Sequence, residues 1–364
     1  MDISKYLLLL CPIHVAMIFS KMDILSGYIF VKHIQYILIS TVFIAVSSIS
    51  RYCSLDCVKL YKVMRVLLYL CLIFIVFQLL GIGKTFTTLI NEYGIFNYGF
   101  RIGGPLIWSY ELGFFLVPFI FSITAYMIIG SFTFKYCLLL LSCILITILT
   151  QSKSTYLNIV FNILIFMGYF SFRTIVTFKF NKKILFIALL FIFFFSAIIL
   201  YIRDNVDNFE HIHRFFSGLI QGGLDASTRS RIRQISMIQH TIENNILFGY
   251  PFGEVHIENA YAYSLYRFGL VGLTLYLLLI LFIIKRNYSI VRAFFKCNVS
   301  IEGKAISIGF LAFSISVITT SLSNLPLEAA TKLGYLFWSL HAMYYAAANM
   351  ELSKFKHVLI KPRR

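Results

Sequence analysis

Residues 260–284 read AYAYSLYRFGLVGLTLYLLLILFII, and Lys285 and Arg286 follow directly. A helix of about 17 to 25 mainly apolar residues crosses the hydrocarbon core of a bilayer, and it satisfies its own backbone hydrogen bonds there. The segment therefore predicts a transmembrane helix that ends at a basic boundary.

The same pattern recurs along the whole chain. Of its 364 residues, 59% are hydrophobic and 13% are charged, a balance that is far from that of a soluble domain. Further apolar runs bring the total to about ten predicted spans. They lie near Tyr6–Phe19, Tyr28–Ser48, Val66–Leu80, Gly113–Gly130, Tyr136–Leu149, Tyr156–Phe170, Ile184–Ile202, Ala305–Leu322 and Leu333–Ala348. We expect an all-α integral membrane protein that forms a single polytopic domain over residues 1–364.

The net charge of +17 has a clear distribution along the chain. The basic residues gather in alternate predicted loops and at the carboxyl terminus: Arg51, Lys59, Lys62, Arg65; Arg173, Lys179, Lys182, Lys183; Lys285, Arg286, Arg292, Lys296, Lys304; Lys354, Lys356, Lys361, Arg363, Arg364. The positive-inside rule places these clusters, and both termini, in the cytoplasm. We interpret the charge as a topological signal that also contacts anionic lipid heads, and we expect no nucleic-acid partner.

Two external loops are long enough to carry a site, residues 81–112 and residues 203–257. The first contains Arg101, and the Gly-Gly-Pro that follows predicts a turn that presents this arginine outside the membrane. In the second, the pattern predicts a helix over Thr228–Ile242 with Ser227 as its N-cap. Two asparagines and Gly249 provide its stop signals.

Arg231 is the most informative residue of that predicted helix. It lies in register with Ile235, Ile238 and Ile242, whereas Arg229 and Arg233 lie off this stripe. One interpretation is an arginine that extends to the lipid surface. The other is an arginine held against the helix bundle to meet an anion, because a guanidinium in a partly dry site needs a partner and a diphosphate offers several oxygens.

The segments after Arg231 resemble a known family. They are Glu243-Asn-Asn-Ile-Leu-Phe-Gly249, Glu258-Asn-Ala-Tyr261 and Phe268-Gly-Leu-Val-Gly272. Their order is similar to the core of the O-antigen polymerase and ligase superfamily, in which an arginine opens a helix, an Asn-Pro-Leu-Gly-like turn follows, and a His-Asn-Tyr-Leu-like stretch enters the next span. Here Ile246 replaces that proline and Glu258 replaces that histidine. The resemblance extends to Arg101–Gly113, Thr150–Ser154 and Ser323–Pro326.

The resemblance implies a GT-C-like membrane fold with a large, partly helical periplasmic loop, in the inner membrane of a bacterial cell. It implies an O-antigen polymerase of lipopolysaccharide biosynthesis. This is a glycosyltransferase that passes the growing glycan from undecaprenyl diphosphate to a lipid-linked repeat unit at the periplasmic face. The expected partners are the undecaprenyl-diphosphate-linked oligosaccharide, the lipid bilayer, and a chain-length regulator and flippase of the same pathway.

Such a reaction needs positive charge where the leaving diphosphate develops negative charge. Arg101 and Arg231 are the first candidates, followed by Arg229 and Arg233. The acceptor hydroxyl also needs a general base, for which Glu258 and His256 are the candidates. Glu258 is favoured because it matches the family's histidine and lies at the membrane edge, although it would also complement a helix dipole there.

Asn259 and Tyr261 complete the predicted site, Asn259 by orienting the base or a sugar hydroxyl and Tyr261 by stacking on a sugar face. Both types are also ordinary interfacial residues. His211 and His213 form a His-x-His pair beside Glu210, but no third ligand is evident, so we expect no metal and no cofactor.

Three other functions share parts of this pattern. The ligase that transfers finished polymer to lipid A-core has the same arginine chemistry. A transporter or flippase of lipid-linked oligosaccharide is expected to carry ionisable residues near the middle of its spans, whereas here they gather at the external ends. A structural membrane scaffold would need none of these residues.

Overall fold

The computed structural model describes residues 27–80, 102–106, 109–177, 196, 200, 204, 226–249, 257–297, 299–327 and 332–355. All regular secondary structure in these ranges is helical. The helices are α1 (Gly27–Tyr52), α2 (Cys57–Leu79), α3 (Ser109–Ile129), α4 (Phe134–Leu149), α5 (Lys153–Thr177), α6 (Ala226–Asn245), α7 (Ala260–Lys296), α8 (Ile301–Ser321) and α9 (Lys332–Ser353).

Four of the described helices have the length and composition of membrane spans. Among the described residues, α2, α3, α7 and α8 are each long and apolar enough to cross a bilayer. The predicted all-helical membrane architecture is therefore confirmed at this level. The predicted span Tyr6–Phe19 lies outside the described residues, and Ile184–Ile202 does so except at residues 196 and 200, so the total of about ten stays a prediction.

The chain divides into two compact units, and the boundary passes within α2 and α8. The first unit takes its described residues from Met1–Leu60, Ala226–Cys297 and Val317–Arg364. The second takes them from Tyr61–Asp225 and Asn298–Ser316. The predicted large external loop therefore contributes its helix α6 to the first unit.

In the first unit, α1 packs against α9, α7 packs against both α6 and α9, and the rings of Phe43 and Trp338 meet edge to face at 6.0 Å. The start of α7 lies beside the end of α8, because the Asn259 side-chain amide donates to the Leu322 carbonyl. In the last third of α7, the Arg286 guanidinium donates to the Asn349 side chain of α9. The side of the membrane on which each of these contacts lies stays a prediction.

In the second unit, α3 is buried along most of its length and packs against α4 and α5. Glycine allows this close packing, since a Cβ on Gly113 would collide with the Thr155 side chain and one on Gly309 would collide with Ser122. The Asn162 amide donates to the Ser316 hydroxyl at 2.7 Å, which joins α5 to α8 by a buried hydrogen bond. Polar links of this kind hold helices together where there is no water to drive their association.

Two predicted boundaries are wrong. Helix α3 begins at Ser109, so the last residues of the predicted loop 81–112 are helical. Helix α6 begins at Ala226, so Ser227 lies in its first turn and is not its N-cap. The first error arises because an apolar run marks the part of a helix that enters lipid and not the helix start, and the second because helix ends are defined only to within one or two residues.

Candidate active site

Helix α6 has one side turned toward the protein, and Arg231 lies on it. Ile238 is buried, and Arg231 and Gln234 are half-buried, whereas Arg229 and Arg233 are exposed. The predicted apolar stripe is wrong at Ile235, which is exposed, and the burial of Ile242 lies outside what the structure describes. The spacing from Arg231 to Gln234 to Ile238 also follows a helical face, and it places a polar residue where the sequence predicted an isoleucine.

The site is built around a contact between Arg231 and Glu258. The Arg231 Nε donates to the Glu258 Oε2 at 3.0 Å, and the two side chains are 27% and 39% exposed. Arg231 belongs to helix α6, and Glu258 belongs to the extended segment that leads into α7. The structure therefore brings together the predicted cation and the favoured predicted base, and the anion that Arg231 meets here is Glu258.

The backbone of Glu258 is held in place by two further interactions. Its amide N–H donates to the Gln234 side-chain oxygen at 3.1 Å. The preceding residue, Ile257, is buried in a small core with Ile238 of α6 and Tyr266 of α7. Because these contacts do not involve the carboxylate, the position of Glu258 does not depend on its ion pair.

Asn259 is the N-cap of α7. Its side-chain oxygen accepts from the amide of Ala262 at 2.9 Å, which satisfies one of the unpaired donors at a helix start. Its side-chain nitrogen donates to the Leu322 carbonyl beyond the end of α8. Both ends of the side chain thus connect α7 to its surroundings, and a direct contact of Asn259 with a sugar stays a prediction.

Tyr261 has a similar connecting position. Its hydroxyl donates to the Ile318 carbonyl at 2.9 Å, and its ring meets the Tyr276 ring edge to face at 5.8 Å. Tyr276 shares a buried hydrogen bond of 2.7 Å with Ser321. These contacts tie the first turn of α7, and Tyr276 farther along it, to the last turn of α8. Sugar stacking by Tyr261 stays a prediction.

A kink in α7 is hydrogen-bonded to the turn that follows α6. At Gly269 the backbone has φ of +64° and ψ of −163°, which interrupts the helix. The amides of Leu270 and Val271 donate instead to the carbonyls of Ile246 and Leu247, at 2.9 and 3.3 Å. The turn and the kink therefore satisfy each other's backbone groups.

Glycine is required at both sides of this junction. The backbone conformation of Gly269 is essentially restricted to glycine, and a Cβ there would collide with the Leu247 carbonyl. Gly249 has φ of +71°, and a Cβ on it would collide with the backbone at Tyr266 and Gly269. The Leu-Phe-Gly and Phe-Gly segments quoted above are thus parts of one junction.

Sequence reasoning missed three features of the site. Gln234 was not considered, although its spacing of three from Arg231 places it on the same helical face. The Gly249–Gly269 junction had no local signal beyond the glycines themselves. Arg267 is 7% exposed, with its guanidinium 5.8 Å from the Tyr263 ring and 5.6 Å from the Tyr266 ring, and its signal was a charge inside an apolar span.

Several predicted residues lie outside the described part of the chain. They are Arg101, His256, and the His-x-His pair of His211 and His213. Their predicted roles stay predictions. Among the residues that the structure does describe, no cluster of His, Cys, Asp or Glu could hold a metal ion.

The arrangement has the components that anion chemistry requires. Three arginines lie on α6, and the start of α7 adds the positive end of a helix dipole, which favours negative charge nearby. A carboxylate lies in contact with the central guanidinium and is open enough to reach a bound molecule. These are the residue types that phosphate binding and proton transfer use.

Comparisons with protein-family models, with curated proteins and with solved structures find no match to this chain.

Proposed function

We propose that the chain is an O-antigen polymerase that transfers a glycan from undecaprenyl diphosphate to a lipid-linked repeat unit at the periplasmic face of a bacterial inner membrane. The observation that carries the proposal is the 3.0 Å contact between Arg231 and Glu258. It supports the proposal because two motifs that resemble the superfamily, far apart in sequence, supply a diphosphate-binding cation and a base at one helix start.

The reaction needs no nucleotide sugar. The acceptor hydroxyl gives its proton to the Glu258 carboxylate while its oxygen bonds to the anomeric carbon of the donor glycan. The bond from that carbon to the diphosphate oxygen breaks, and its electron pair leaves with undecaprenyl diphosphate. Arg231 stabilises the charge that develops on the leaving oxygen, and the protonated Glu258 then returns its proton to water.

The remaining predicted residues have supporting roles in this scheme. Arg229 and Arg233 lie two positions before and two positions after Arg231 and are exposed, so they attract the anionic headgroup. Arg101 is a second diphosphate ligand, and His256 is the alternative base. The arginine chemistry is the same for a ligase, so the acceptor distinguishes the two enzymes.

The direct test is polymerisation by the purified protein. Synthetic undecaprenyl-diphosphate-linked repeat units are supplied as both donor and acceptor, and product length is read by gel electrophoresis. We expect a ladder of polymers from the unaltered protein and a rate about 10² to 10³ lower for Arg231→Ala. Arg286→Ala, which removes an arginine with a side-chain hydrogen bond at the opposite end of α7, should retain the ladder. Failure of the unaltered protein to extend any repeat would overturn the proposal.

The host cell gives a second test. Deletion of the gene should leave surface lipopolysaccharide capped with a single repeat unit. Uncapped core would instead indicate the ligase, and an unchanged ladder would reject both enzymes.

A further inference from the structure

We propose that Arg231 and Glu258 form an exchange pair. When the donor binds, its diphosphate replaces Glu258 as the partner of the Arg231 guanidinium. The carboxylate of Glu258 is then free to act as the base. The inference rests on the proposed function and adds an order of events, in which the donor must bind before the hydroxyl can be activated.

The geometry of the contact leaves room for such an exchange. It uses the Nε of Arg231 and one carboxylate oxygen. The terminal nitrogens of that guanidinium make no hydrogen bond to any residue that the structure describes. A guanidinium presents its N–H donors in a planar fork that matches phosphate oxygens. A diphosphate can therefore engage the terminal nitrogens first and then displace the carboxylate from Nε.

The relative strength of the two contacts favours the exchange. The side chains of the pair are 27% and 39% exposed, and ion pairs that water reaches are weak. A diphosphate carries more charge and more acceptor oxygens than a carboxylate, so its forked contact with arginine is stronger. The guanidinium should therefore move to the diphosphate whenever the donor is present.

Glu258 keeps its position when the pair separates. Its amide stays bonded to Gln234, and Ile257 stays in the core with Ile238 and Tyr266. The carboxylate is then beside the leaving group with an oxygen that no longer accepts from Arg231. Oε2 accepts from Arg231 in the protein without donor, so activation of the acceptor hydroxyl through this oxygen waits until the donor has displaced the guanidinium.

The test measures the affinity of the full-length protein, in lipid nanodiscs, for tritiated undecaprenyl diphosphate. Glu258→Gln removes the charge that competes for Arg231, so we expect about fivefold tighter binding together with loss of polymerisation. The matched control is Glu351→Gln, which removes a carboxylate bonded to Lys354 in a pair at the far end of α9. It should leave the affinity unchanged.

A double-mutant cycle separates exchange from simple repulsion between carboxylate and diphosphate. In an Arg231→Gln background, Glu258→Gln should no longer tighten binding, because no guanidinium is left to release. Tightening of the same size in that background would overturn the exchange pair. Should Glu258→Gln fail to fold, Glu258→Asp provides the same comparison, since it withdraws the carboxylate from Arg231 by one methylene.

The failures of the two proposals are distinguishable. If the unaltered protein binds undecaprenyl diphosphate and polymerises, but neither Glu258 variant binds it more tightly, the exchange is overturned and the proposed function stands. If the unaltered protein does not bind undecaprenyl diphosphate and does not polymerise, the proposed function itself is overturned.

Discussion

The two ends of α7 are joined to neighbouring helices by polar pairs of different kinds. At the first end, Arg231 and Glu258 form an ion pair whose side chains are partly exposed. In the last third of α7, which we call its buried end, the Asn287 amide lies 3.3 Å from the His341 Nε2, and both residues are fully buried. The His341 Nδ1 lies 3.0 Å from the Phe337 carbonyl, so Nδ1 carries the proton and Nε2 accepts from Asn287.

The difference shows how access to water selects the chemistry of a helix contact. Burying opposite charges costs more than their attraction returns unless further hydrogen bonds compensate, whereas a neutral hydrogen-bonded pair is tolerated in a dry interior. The buried end of α7 therefore has an amide and an imidazole that serve packing. The open end has charges, and charges in contact with water can exchange partners.

The largest effect on the open end should come from Gly269→Ala. Alanine cannot adopt this backbone conformation, and its Cβ would meet the Leu247 carbonyl, so the junction that places the site would separate. We expect a loss of about 3 kcal/mol or more in the free energy of unfolding, together with loss of polymerisation. Thermal unfolding in detergent measures it, with Leu270→Ala, at an exposed neighbouring position, as the mild control. An unfolding midpoint equal to that of the unaltered protein would show that this junction does not stabilise the fold.

The next effect is on activity alone. Glu258→Gln should lower the polymerisation rate by about 10² to 10⁴, because the hydroxyl loses its base. The free energy of unfolding should change by less than about 1 kcal/mol, because the ion pair is open to water and the backbone contacts of Glu258 remain. Single-turnover polymerisation and thermal unfolding of the same sample measure the two. A large loss of stability with little loss of rate would show that Glu258 is structural.

Substitution at the buried end should lower stability and leave activity unchanged. His341→Leu leaves the Asn287 amide buried without its acceptor, so it should cost about 1 to 3 kcal/mol of stability. The polymerisation rate per folded molecule should stay the same. The double variant with Asn287→Leu should recover most of the loss, since both polar groups are then replaced. No recovery in the unfolding midpoint of the double variant would argue against this pairing.

The smallest effect is expected beyond the end of α9. The hydrogen bond from the Lys354 ammonium to the Glu351 carboxylate raises the pKa of Lys354 above its ordinary value. The pair therefore stabilises the fold at pH values below the ordinary lysine pKa, and this contribution is lost as the pH rises through the raised pKa. Lys354→Gln should cost less than about 0.5 kcal/mol at neutral pH, because the pair is exposed. Unfolding midpoints of the two proteins across a pH series test this expectation. A difference between them that grows at high pH would contradict it.

Local composition was enough to predict most of the helices. The apolar runs predicted α1 to α5 and α7 to α9, because a segment that enters lipid must be apolar along its length and must satisfy its own backbone. Helix α6 was predicted from its periodicity, and its stop signals agree with an end at Asn245. Its buried face was assigned less well, because Gln234 rather than Ile235 lies on the side that faces the protein. There the Gln234 side-chain oxygen accepts from the Glu258 amide.

For the candidate site, residue types alone indicated that Arg231 and Glu258 matter, since an arginine among apolar residues and a carboxylate at a membrane edge both need a partner. Their contact joins residues 27 positions apart along the chain. It depends on the hydrogen bonds between the turn after α6 and the kink at Gly269. Hydrogen bonds between separate segments have no local pattern, so the tertiary structure alone selected this partner. The sequence thus supplied the charges and the spans, and packing decided which charges meet and how much water reaches them.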